Sequence, residues 1–126
     1  MTAIARPAFG RYLLVGLLAT ASHYALLVAL VELAGAQAAP SAAFGAACGA
    51  FLAYAGNRRF TFPRRAPHAQ ALPRFLAVAA LGAATNGAIV WTGTKVLGMH
   101  YLEAQLLATS TVVWSGFVLN RRWSFA

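Results

Sequence analysis

The chain has 126 residues, 60% of them hydrophobic and only 10% charged, with a formal net charge of +8. Soluble domains carry about a quarter charged residues, so the polar surface needed to stay in water is missing. One cysteine and two carboxylates leave no disulfide framework, no metal quartet and no paired-acid catalytic site within the chain.

Tyr12 to Leu33 is expected to form the first helix. Glu32 is the only charged side chain between Tyr12 and Asn57, a run far longer than the roughly 20 apolar residues that one bilayer crossing needs. Arg6 and Arg11 before this run, and Ala36-Gln37-Ala38 after it, imitate a cleavable secretory signal. Tyr12 to Val31 exceeds the usual ~7–15-residue signal core, so it is read as a retained span. Gly35 lies where a left-handed residue commonly stops a helix.

Ala39 to Asn57 is expected to form the second helix, with Pro40 tolerated in its first turn. It is rich in small residues and holds Gly45-x-x-x-Gly49, a spacing that lets helix backbones approach within one chain or between copies. Cys48 reads as a small packing residue within it. The helix runs into Asn57-Arg58-Arg59-Phe60-Thr61-Phe62. The proline-rich stretch 63–73 follows as a loop, and Phe75 to Val96 and Leu102 to Asn120 are expected to form the third and fourth helices. Lys95 and Glu103 are the only charged residues between Phe75 and Asn120.

A shift of 63 residues lays Asn57-Arg58-Arg59-Phe60-Thr61-Phe62 on Asn120-Arg121-Arg122-Trp123-Ser124-Phe125 without a gap. The same shift pairs Arg11-Tyr12-Leu13 with Arg74-Phe75-Leu76, Ser22-His23 with Thr85-Asn86, and Gly35 with Gly98. One offset sustained over a whole unit points to internal duplication. The expectation is an all-α membrane protein, with four transmembrane helices formed by two parallel two-helix repeats. Repeat one covers 11–62, a cytoplasmic loop 63–73, and repeat two 74–125, in a single transmembrane domain. Arg6, Arg11, Arg58, Arg59, Arg64, Arg65, Arg74, Arg121 and Arg122 fall on one side of this arrangement and Lys95 near the other. The positive-inside rule then puts both termini and the loop in the cytoplasm of a multi-pass inner (cell) membrane protein. Cations clustered outside apolar runs meet anionic lipid, which argues against nucleic acid as a partner.

Polar residues at depth are the first group of candidate site residues. Helical rise puts Ser22, His23, Thr85 and Asn86 near the midplane, with Thr109, Ser110 and Thr111 at a similar level. Such groups face protein or a wet cavity rather than lipid. They serve either as interhelical hydrogen bonds or as a mid-membrane polar track for a head group. The second group is the paired basic ends. Asn57, Arg58, Arg59, Asn120, Arg121 and Arg122 are either ordinary interfacial anchors or a phosphate and lipid head-group site. Arginine's planar fork suits phosphate oxygens, and Phe60, Phe62, Trp123 and Phe125 suit the interfacial aromatic belt. An asparagine at a helix end can satisfy loose backbone groups and hold the arginines in one direction. Brought together by a pseudo-twofold axis, the two ends would make a four-arginine cluster.

Units opening RYLLVG and RFLAVA and closing NRRFTF and NRRWSF resemble the GtrA-like family of small four-span membrane proteins, over about Arg11 to Phe125. Gly16 fits the glycine of the family's Gly-x-x-Asn opening, whereas Ala19 replaces its asparagine and His23 the acid that follows. The resemblance implies a non-catalytic role in cell-surface polysaccharide synthesis, as a flippase of polyprenyl-phosphate-linked sugars. The alternative is a non-transporting scaffold that docks a membrane glycosyltransferase. A small multidrug-type exporter normally needs a membrane-embedded carboxylate, and none lies mid-span here. Four short helices leave little room for an enclosed sugar, so a homo-oligomer is a further expectation. No cofactor or metal is called for.

Overall fold

The structure, a computed structural model, describes residues 5–62 and 66–126. It is all-helical among those residues. Helix α1 (Ala5–Val28) runs into a wider π-helical turn at Ala29–Leu33; α2 (Ala38–Gly56) ends in a π turn at Asn57–Thr61. Helix α3 (His68–Trp91) ends in a π turn at Thr92–Val96, and α4 (Tyr101–Leu119) in one at Asn120–Ser124. The chain divides into two compact units, Met1–Pro63 and Arg64–Ala126. In the first, α1 packs on α2; in the second, α3 packs on α4.

Each helix closes by the same device. The amides of Ala34, Phe62, Leu97 and Phe125 donate five residues back, to the carbonyls of Ala29, Asn57, Thr92 and Asn120 at 3.0–3.3 Å. These bonds occupy carbonyls that a helix end would otherwise leave loose. At the two tight connections the chain then reverses through Gly35 (φ 67°) and Gly98 (φ 66°), the left-handed stops expected there. Beyond them the Ala36 amide reaches the Leu30 carbonyl at 2.9 Å, and the Met99 amide the Gly93 carbonyl at 2.8 Å.

Two boundaries differ from the sequence expectation. Helix α1 begins by Ala5 rather than Tyr12, because Pro7 falls in the first turn, where no intrahelical amide is needed. Helix α3 begins at His68, so the last six residues of the expected 63–73 loop are helical. Pro67 precedes the first turn and its carbonyl accepts the Gln70 and Ala71 amides, each at 2.9 Å. Pro73, the sixth helical residue, forgoes only one backbone bond near the end. Arg64 and Arg65 lie outside the described residues.

Burial runs opposite to that of a soluble protein. Leu17, Leu33, Trp91, Leu97 and Leu106 are exposed, while Asn57, Thr61, Asn120 and Ser124 are buried. Large contiguous apolar surface of this kind needs lipid or protein to cover it. Three segments are long and apolar enough to cross a membrane: Arg6–Leu33, His68–Val96 and Tyr101–Ser124. Helix α2 is not among them in the described residues.

Those small residues bring the paired helices together. A Cβ on Gly45 would lie 2.8 Å from His23 Cδ2 and 3.0 Å from the His23 carbonyl oxygen, and one on Gly49 3.1 Å from the Ala19 carbonyl oxygen. Gly45-x-x-x-Gly49 is therefore occupied inside the unit, by α1. The second unit reaches close contact with different residues. There a Cβ on Gly82 would meet Val112 Cγ1 at 3.0 Å, and one on Gly93 would meet the Ala104 Cβ at 2.8 Å.

Candidate functional site: two cationic hairpin ends and a mid-helix amide cluster

In the first unit the π turn Asn57–Thr61 folds the end of α2 back against the start of α1. Arg11 Nη1 donates to the Phe60 carbonyl at 3.3 Å, and the rings of Tyr12 and Phe62 sit 6.4 Å apart. In the second unit Arg74 Nη1 donates to the Trp123 carbonyl at 3.1 Å, and the rings of Phe75 and Phe125 sit 5.9 Å apart. Each pair of bonded residues is separated by 49 positions. Arg74 also lies 5.6 Å over the Trp123 ring, and Arg59 the same distance over Phe60, where a cation is attracted to the ring face.

The two halves of the Asn-Arg-Arg phrase do different work. Asn57 and Asn120 are buried, whereas Arg59, Arg121 and Arg122 are exposed and Arg58 is half-buried. The asparagine side chain does not cap the helix end, as its terminal position suggested. Asn57 Oδ1 accepts from the Thr61 hydroxyl at 2.8 Å, inside the unit. The corresponding Asn120 Oδ1 and Ser124 Oγ are buried without a partner. The capping falls to the backbone bonds of the π turn instead.

The two carboxylate side chains of the chain lie toward the opposite ends of the helices. Glu32 lies in the π turn at the other end of α1, about 30 Å along the helix from Arg11. Glu103 lies in the first turn of α4, about 27 Å from Arg121. The first unit thus gathers Arg11, Arg58 and Arg59, and the second Arg74, Arg121 and Arg122, far along the helices from Glu32 and Glu103. The planar guanidinium fork is of the kind that matches phosphate oxygens. Arg11 and Arg74 were not among the residues singled out by sequence as phosphate ligands. Their pairing under the 63-residue shift was the available signal.

The expected polar track separates into two kinds of residue. Ser22 donates to the Leu18 carbonyl at 2.9 Å, Ser110 to Leu106 at 2.8 Å and Thr111 to Leu107 at 2.8 Å. Those hydroxyls are spent on their own helix. Asn86 and Thr109, by contrast, are joined by a residue that sequence reading passed over. Gln105 Nε2 donates to Asn86 Oδ1 at 2.8 Å and to Thr109 Oγ1 at 3.0 Å. Gln105 stands four positions before Thr109, one helical turn away, and that spacing was its sequence signal. Thr85 is half-buried beside this cluster.

His23, the first-unit counterpart of Asn86, is half-buried, and its Nε2 is enclosed without a hydrogen-bond partner. Its ring stacks on Tyr24 at 5.3 Å. Ala42 and Ala46 occupy the places in α2 that correspond to Gln105 and Thr109, so α2 offers this histidine no polar group there. Among the described residues no group of three His, Cys, Asp or Glu side chains is placed to hold a metal ion.

Neither the curated proteins nor the solved structures contain a match to this sequence. The family model described as GtrA/DPMS, transmembrane domain, matches residues 11–125, from the first clamping arginine to the last aromatic of the second basic end. With nearly its whole length matched and its apolar helices turned outward, the chain is an integral membrane protein of the GtrA/DPMS transmembrane-domain family.

Proposed function

We propose that this chain moves polyprenyl-phosphate-linked sugars across the membrane during polysaccharide or glycolipid synthesis, and that it does so without catalysing a covalent step. The observation that carries this reading is the group of arginines at the end of each otherwise apolar hairpin, in a member of this family. Four spans with both termini cytoplasmic, α2 being the fourth, would place every such group at the inner leaflet of the cell membrane. There the arginines collect the phosphate of a lipid whose tail stays in the bilayer. Anionic membrane lipids compete for the same guanidinium groups.

The difficulty such a protein must remove is large. Charged side chains at the bilayer centre cost about 3 to above 10 kcal/mol, which sets the scale for a phosphate head. Asn86, Thr85 and His23 supply polar contacts at that depth; the Thr109 hydroxyl already accepts from Gln105, and Ser22 and Thr111 contribute only through hydroxyls already bonded to backbone. A second copy of the chain would help enclose the head group that four short helices cannot surround alone.

Purified protein in liposomes, supplied with a fluorescent polyprenyl-phosphate sugar, is expected to exchange that lipid between leaflets. Arg58→Ala with Arg121→Ala is expected to slow exchange by tenfold or more while the protein remains folded, since two charge-assisted contacts to phosphate are lost. No exchange by the pure wild-type protein, together with co-purification of a membrane glycosyltransferase, would replace translocation by a scaffolding role.

A further inference from the structure

We infer that Asn86, Gln105 and Thr109 form a binding site for sugar hydroxyls, separate from the phosphate-binding ends and confined to the second unit. The assignment rests on the translocation reading only for its choice of a lipid-borne sugar. The geometry supplies the rest. Gln105 directs both amide hydrogens inward, to Asn86 Oδ1 at 2.8 Å and Thr109 Oγ1 at 3.0 Å. That orientation leaves three groups pointing away from the network: the Gln105 carbonyl as an acceptor, the Asn86 amide as a donor, and the Thr109 hydroxyl hydrogen as a donor. No protein group occupies any of them among the described residues.

An acceptor flanked by two donors is complementary to neighbouring hydroxyls on a sugar ring, each of which both donates and accepts. A lone phosphate, which only accepts, would leave the Gln105 carbonyl facing its oxygens. Acyl chains offer nothing. Gln105 and Thr109 are nonetheless exposed on the surface of α4, and Asn86 is half-buried on α3. Polar groups left open at this depth are costly unless something polar comes to them. Asn86 lies 12 positions from Arg74 on α3, about 18 Å along the helix, so this is a second station rather than part of the basic end. The first unit cannot build it, since His23, Ala42 and Ala46 stand at the matching positions.

The test is equilibrium binding to the full chain in phosphatidylcholine nanodiscs, with two probes: polyprenyl-phosphate glucose and bare polyprenyl phosphate. Wild-type protein is expected to prefer the glucose lipid. Gln105→Leu and Thr109→Val should each reduce that preference about tenfold, leaving affinity for the bare lipid unchanged. The unchanged bare-lipid affinity reports folding, and Thr109→Val, near-isosteric, serves if Gln105→Leu is lost. Absence of a wild-type preference overturns the site, as does a preference unaltered in both variants. Breakdown of a homodimer in Gln105→Leu with unaltered preference also overturns it, by making the cluster a protein interface. Because nothing has to cross the membrane, a protein that shows the preference but exchanges no lipid between leaflets would retain this site and lose the translocation reading alone.

Discussion

The Arg74 guanidinium donates to the main-chain carbonyl of Trp123 at 3.1 Å while lying 5.6 Å over the indole of the same residue. One side chain at the start of α3 thereby fixes both the backbone and the ring of the turn that carries Arg121 and Arg122. Arg11 makes the matching bond to Phe60 at 3.3 Å. The basic ends are held by a third arginine that itself retains free donors.

Replacing that arginine separates its two roles. Arg74→Ala is expected to lower stability by about 1 kcal/mol, one hydrogen bond from a charged group at a partly solvated site. It should also weaken binding to anionic vesicles about fivefold, the worth of one cation near a charged surface. Arg74→Lys keeps the charge but not the planar fork, so vesicle binding should persist while part of the stability is lost. Thermal unfolding in micelles and vesicle co-sedimentation read the two effects. Equal loss of binding in both variants would show that the fork, not the charge, matters.

Close helix contact gives a second, sharper expectation. Gly93→Ala would push a Cβ to 2.8 Å from the Ala104 Cβ, an atom fixed to its backbone and unable to swing aside. Gly87→Ala, in the same helix, meets nothing within 4 Å. Gly93→Ala should cost about 1–3 kcal/mol through overpacking, whereas Gly87→Ala should be neutral or stabilise by up to about 1 kcal/mol through helix propensity. Melting of both variants in one detergent decides this. Matched melting temperatures would mean that α3 and α4 are farther apart than described.

The buried ends of the two Asn-Arg-Arg turns should respond unequally to similar changes. Thr61→Val removes the donor to Asn57 Oδ1, leaving a buried acceptor unpaired. The expected loss is about 1–3 kcal/mol. Ser124 Oγ has no partner to lose, so Ser124→Ala should stay within about 0.5 kcal/mol of wild type or stabilise slightly. A large loss in Ser124→Ala would mean that this hydroxyl finds Asn120 in solution as Thr61 finds Asn57.

These contacts mark where sequence reading reached and where it stopped. The four helices were legible because each is an apolar run bounded by glycine, proline or charge, and the left-handed stops at Gly35 and Gly98 follow from what glycine alone does cheaply. The π turns were not legible: a bond five residues back differs from one four back by local winding, which composition does not record. The start of α3 was hidden because Pro67 and Pro73 read as loop, although one precedes the helix and the other gives up a single bond. Arg11, Arg74 and Gln105 act through partners 49 and 19 positions away, and only packing brings such residues together. Ser22 and Thr111 looked equivalent to Thr109, yet rotamer choice turned the first two back on their own helices.

Helix α2 carries the remaining topological expectation. With its π turn it spans Ala38–Thr61, 24 residues, or about 36 Å of helix, enough for a hydrocarbon core of about 30 Å. Its alanines and glycines also let it pack closely on α1, as the contacts of Gly45 and Gly49 illustrate. In a Cys48→Ala background, Gln37→Cys and Phe60→Cys, both at exposed positions, should react with a membrane-impermeant thiol reagent from opposite sides. Lys95→Cys, in the π turn that precedes α4, and Ala126→Cys, beyond its end, provide the control, with Lys95→Cys on the same side as Gln37→Cys. If Gln37→Cys and Phe60→Cys were labelled from one side while the α4 pair divided, α2 would dip into the membrane and return. Arg58 and Arg59 would then stand across the membrane from Arg11, whose guanidinium bonds the Phe60 carbonyl, and a single leaflet could not supply phosphate to the whole basic end of the first unit.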